Sequence, residues 1–90
     1  MSYEMTIAQF NEAHQSAFEY SPKFGVPVRK GPDHCPEVSV TLEVEGVRMV
    51  VGKGTNQKVA RQDAVDQVLD MGPALPHVLR MAIESKLSGF

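Results

Sequence analysis

The sequence predicts an α+β fold: an α-β-β-β-α two-layer sandwich, with a three-stranded antiparallel sheet and two helices on one of its faces. Three observations carry this. A capping-box signature opens an apolar stripe at helical spacing, Val38 to Glu45 alternates apolar and polar with period two, and Gly52 to Leu69 reads as a glycine turn followed by a second amphipathic helix.

Thr6-Ile7-Ala8-Gln9 sets a hydroxyl three residues before a Gln, so a helix should run from about 7 to 19. Ile7, Phe10, Ala13, Ala17 and Phe18 form its buried stripe, with Gln9, Glu12, Gln15 and Glu19 off it. Tyr20-Ser21-Pro22 ends the helix, because the residue before proline resists helical angles. Phe24 to Lys30 reads as a strand, irregular or at an edge near Pro27, which lacks a backbone donor. Gly31 to Pro36 is a turn-rich loop.

Val38, Val40, Leu42 and Val44 then alternate with Ser39, Thr41, Glu43 and Glu45, giving a strand with one buried face. Glu45-Gly46 reads as a hairpin turn and Val47 to Val51 as the returning strand. Gly52-Lys53-Gly54 reads as a turn that uses glycine's backbone freedom. Asn56 caps the second helix, whose apolar face is 60, 64, 65, 68 and 69. Gly72-Pro73 and Pro76 break the chain, and His77 to Leu87 can form a short third helix with Leu79, Ile83 and Leu87 on one stripe.

Ninety residues make one small domain with little stability to spare. The composition, 42% hydrophobic and 22% charged, is that of a soluble globular protein. No apolar run is long enough to span a membrane, and the N-terminus lacks the build of a signal peptide. The single Cys35 excludes an internal disulfide and fits a reducing compartment, so an intracellular setting, nucleus or cytoplasm, is expected. The net charge of -2 counts mildly against a nucleic-acid binder, although local placement can outweigh the total.

The chemistry-bearing residues gather at the second helix. Lys58 and Arg61 lie three apart near its positive end, pointing away from the apolar face, and Lys53 can join them from the turn. Cations and free backbone amides at one helix start suit phosphate oxygens. His34 and Cys35 have no second pair at zinc-ligand spacing, so no metal or cofactor is expected. His14 is expected on a helix surface and His77 near the terminus. Glu12, Glu19 and Asp63 form no acid-base pair, and Gly-Lys-Gly lacks the glycine spacing of a P-loop, so an enzyme is not expected.

With these elements placed, residues 6 to 70 resemble the double-stranded RNA-binding domain family. Phe10 to Gln15 is similar to its Leu-Asn-Glu-x-x-Gln, Gly31 to Pro36 to its Gly-Pro-x-His-x-Pro, and Gly52 to Arg61 to its Gly-x-Gly-x-Ser-Lys-Lys-x-Ala-Lys. Phe24 falls where the family has an aromatic opening the first strand. The resemblance implies a binding domain over 5–71, with 72–90 as a C-terminal extension. It also implies a mode of binding duplex RNA, whose minor groove is wide and shows 2′-hydroxyls. Ala8, Gln9 and Glu12 would touch one minor groove and the Asp33-His34 loop the next. Gln57, Lys58 and Arg61 would straddle the phosphates between them. Gln57 stands where the family has a lysine, and Asp33 adds a carboxylate to the loop, so affinity should be lower than for a full lysine set.

The alternative is a degenerate member of the family, acting as a protein-interaction or homodimerisation module. Val47, Met49 and Val51 share one face of the returning strand and need a cover, either the 77–87 helix or a second copy of the chain. A homodimer through this strand is the expectation, and it can coexist with RNA binding on the helix side.

Overall fold

A computed structural model describes residues 3–45 and 49–88. Helix α1, Ile7–Phe18, opens with the expected capping box. The Thr6 hydroxyl accepts from the Gln9 N–H at 3.1 Å, and Gln9 Oε1 accepts from the Thr6 N–H at 3.0 Å. The helix stops earlier than Pro22 would enforce, because Glu19 turns left-handed with φ 68°.

Phe10 and Ala13 are fully buried as read, but so is His14, which corrects its surface assignment. His14 sits four residues after Phe10 and therefore on the same stripe. Its ring is satisfied at both nitrogens. Nδ1 lies 2.6 Å from the Tyr20 carbonyl, and Nε2 takes the Glu45 N–H at 3.3 Å. The neutral tautomer protonated at Nδ1 satisfies both contacts, so the imidazole ties the end of α1 to the end of the sheet.

The first strand is interrupted as well as irregular. Its two pieces, β1 (Lys23–Phe24) and β2 (Val28–Lys30), both pair antiparallel with β3 (Glu37–Glu43). Phe24 faces Leu42 and Val28 faces Ser39, so Gly25, Val26 and Pro27 lie opposite only Val40 and Thr41. One extra residue makes a bulge at an edge, where the missing proline donor does least harm.

The other edge of β3 is taken by β4, Val50–Gly54, in the register Val51 to Thr41 and Gly52 to Val40. This corrects two readings. The returning strand lies further along the chain than 47–51, and Gly52-Lys53-Gly54 is part of it, not a turn. Gly46, Val47 and Arg48, including the hairpin turn itself, lie outside the described residues.

The reason for glycine here is space. A Cβ on Gly52 would stand 2.1 Å from the Ala60 carbonyl oxygen and 2.5 Å from the Ala64 nitrogen. A Cβ on Gly54 would stand 2.4 Å from a Val59 methyl. Helix α2, Gln57–Leu69, thus lies directly on the β4 backbone. Its buried residues are the five expected, at 60, 64, 65, 68 and 69. Asp63 and Gln67 of α2 reach over the free edge of β4. Asp63 accepts the Lys53 N–H at 2.9 Å, and Gln67 Nε2 donates to the Val51 carbonyl at 2.7 Å. Two outward backbone groups of an edge strand are thereby occupied.

After a 3₁₀ turn at Gly72–Ala74, helix α3 runs over His77–Leu87. It packs on α1, with Leu79 and Ile83 fully buried in the core shared by Phe10, Ala13 and Leu69. It therefore does not cover the outer face of the sheet. Leu87, expected on its buried stripe, is 43% exposed.

Candidate nucleic-acid interface

Three surface regions carry the residues singled out by sequence. On α1, Ala8, Gln9 and Glu12 are all exposed. The Gln9 carbonyl is committed to the capping box, which leaves its amide NH₂ to donate elsewhere. Glu12 is not alone, because Lys86 of α3 brings its Nζ to 3.2 Å from the carboxylate.

The β2–β3 loop, residues 31–36, turns on Gly31 with φ 90° and on a Cys35 N–H to Pro32 carbonyl bond of 2.9 Å. A Cβ at Gly31 would press on the Cys35 carbonyl at 2.9 Å, so both the angle and the space require glycine. Asp33 and His34 stand exposed at the loop's outer end. Arg29 faces the Asp33 carboxylate at 3.9 Å, a weak exposed pair that offsets part of the charge Asp33 adds.

The start of α2 is built as expected. The Asn56 side chain accepts the Val59 N–H at 2.9 Å, leaving the Gln57 and Lys58 amides at the helix tip. No acidic residue lies in the first turn, so the positive end of the helix is uncompensated. Lys58 is exposed and forms no ion pair among the described residues.

Gln57 lines a groove with Thr55, Asn56, Pro36 and Arg29. The loop and the helix tip are therefore adjacent, and Arg29 places a guanidinium on the groove beside the uncharged Gln57. Sequence reading passed over Arg29. The signal available was its place in a strand of exposed residues directly before the loop.

Two candidates sit differently from their reading. The Arg61 guanidinium lies 5.6 Å over the Phe24 ring, and its Nε is buried without a partner, so this side chain packs α2 onto β1 and does not simply point away from the apolar face. Lys53 points to the sheet face opposite the helices and lies 3.9 Å from Glu37, so it is not gathered with Lys58. Of the proposed dimer residues, Met49 and Val51 are 64% and 47% exposed, and Val47 lies outside the described residues. Among the described residues, no group of three His, Cys, Asp or Glu side chains could hold a metal ion.

A helix, an antiparallel sheet with a bulged first strand, and a second helix that presents its start beside a Gly-Pro loop define an α+β two-layer class. The model of the double-stranded RNA binding motif family matches residues 7–69, and the chain belongs to that family. It is similar to Ribonuclease 3 of Rhizobium leguminosarum bv. trifolii (strain WSM2304), 32% identical over 62 residues that make up 69% of this chain and 26% of the relative. Ribonuclease 3 of Agrobacterium fabrum shows the same identity and coverage. The chain thus spans about a quarter of the length of these relatives.

Proposed function

We propose that this chain binds double-stranded RNA by shape. Ala8, Gln9 and Glu12 contact one minor groove, Asp33 and His34 the next, and Gln57 and Lys58 the phosphates between, with Arg61 holding α2 in place for them. Glu12 accepts from a 2′-hydroxyl, which DNA lacks. Lys53 contributes to the field and makes no direct contact.

The observation that carries this reading is Lys58, unpaired among the described residues, at an uncompensated helix start adjoining the Gly-Pro loop. The binding unit is residues 5–71, and 72–90 is a C-terminal extension whose helix α3 packs on it. The chain acts inside the cell as a binding module without cleavage of its own. A second reading, self-association, is favoured by Val26, Val28, Met49 and Val51, exposed by 86, 49, 64 and 47%.

Titration of RNA and DNA duplexes of equal length, about 16 base pairs or more, tests the main reading. RNA should bind more tightly. Lys58→Ala should weaken RNA binding and lower the log-log salt slope by about one. Equal affinity for both duplexes, or none for either, sinks the proposal.

A further inference from the structure

Helix α3 lies beyond residues 7–69, the stretch matched by the family. It is nevertheless fixed in place. Leu79 and Ile83 are fully buried against the α1 side of the core, so the helix itself is fixed beside α1. Its far end is tied twice to the α1 region: Lys86 Nζ to the Glu12 carboxylate at 3.2 Å, and the Tyr3 hydroxyl to Glu84 at 2.9 Å.

The first tie reaches the one acidic residue of α1, a helix whose sequence IAQFNEAHQSAF contains no cation. The α1 face stays open despite it. The Glu12 side chain remains 62% exposed and that of Lys86 40%, and Ala8, Gln9 and Gln15 are exposed as well. Helix α3 flanks this face and does not mask it.

We propose that α3 is part of the duplex-RNA surface and that Lys86 is a phosphate contact beside the α1 minor-groove contact; this rests on the RNA-binding reading above. A minor groove is bordered by two phosphate backbones, and a bare carboxylate entering it is repelled by both. An ammonium at 3.2 Å cancels that repulsion locally. Lysine is a point charge on a flexible stem, so Nζ can turn from Glu12 to a phosphate while the carboxylate turns to a 2′-hydroxyl. The surface then has a cation at each end, Lys58 for α2 and Lys86 for α1. Deleting α3 is not the right test, because Leu79 and Ile83 belong to the core.

The test is a salt titration of duplex RNA binding by the full chain as wild type, Lys86→Ala and Lys86→Arg, with circular dichroism to show an unchanged helical signal. Lys86→Ala should weaken binding severalfold at low salt and lower the log-log slope by about one, while Lys86→Arg keeps the slope. An unchanged slope in Lys86→Ala, with wild type binding RNA, overturns the Lys86 contact alone. Tighter binding by Lys86→Ala overturns it in favour of a masking helix. A wild type that binds no duplex RNA overturns the underlying reading, and this contact with it.

Discussion

Tyr20 and His14 together decide how α1 is joined to the far end of the sheet. The Tyr20 carbonyl meets the His14 imidazole, the rings lie edge to face 5.2 Å apart, and the Tyr20 hydroxyl donates to the Glu45 carboxylate. That hydrogen bond, then burial, then the charges of Glu45 and Glu43 raise the Tyr20 pKa above its ordinary 10.0. A raised value means that the fold favours the neutral phenol. Its contribution is complete below about pH 10 and is lost as pH climbs through the raised folded value. Tyr20→Phe should therefore be less stable than wild type at neutral pH and lose less stability across the alkaline limb. Thermal melts from about pH 8 to 11 check this, and parallel curves for the two proteins would contradict it. Tyr3, raised in the same direction chiefly by its bond to Glu84, keeps some alkaline slope in both. None of this was legible in the sequence. His14 reads as a helix-surface residue, and the partners that satisfy its buried ring, Tyr20 and Glu45, lie 6 and 31 residues away.

At the scale of elements, the contact of α2 with β4 is the tightest feature. The apolar face of α2 was fully readable, because period and capping are local signals. The placing of β4 was not. Two glycines around a lysine suggest a turn, whereas the constraint is the helix backbone standing over them, which no local pattern announces. Gly52→Ala should cost at least about 1–3 kcal/mol, since the added methyl meets backbone atoms that cannot rotate away. In a chain of this size that lowers the melting temperature by about 4–8 °C for each kcal/mol. Gly25→Ala, whose nearest atom is the Thr41 Cβ at 3.3 Å, should cost much less. Similar melts for the two variants would show that α2 can lift from the strand.

The molecule is elongated, 43 × 20 × 20 Å, with helices on one side and, among the described residues, a sheet face on the other that leaves Val28, Met49 and Val51 exposed. The sequence left open whether α3 or a second chain covers that face. The outcome turned on Leu79 and Ile83, which fit the α1 groove and carry α3 to the helix side. A dimer, if formed, packs face to face, because Asp63 and Gln67 already occupy two of the outward backbone groups of β4. Met49→Asp should then give a folded monomer that still binds RNA, since the proposed contacts lie elsewhere. Light scattering across the micromolar range measures this, and a one-chain mass for wild type would end the dimer proposal.

The Tyr3–Glu84 bond has a topological consequence. It links the first described residue to the last helix across 81 residues of chain, at 2.9 Å between the side-chain tips. The segment ahead of α1 therefore cannot fray from Tyr3 onward without giving up a contact to α3, so the stretch most prone to disorder in a small domain is held by its last helix.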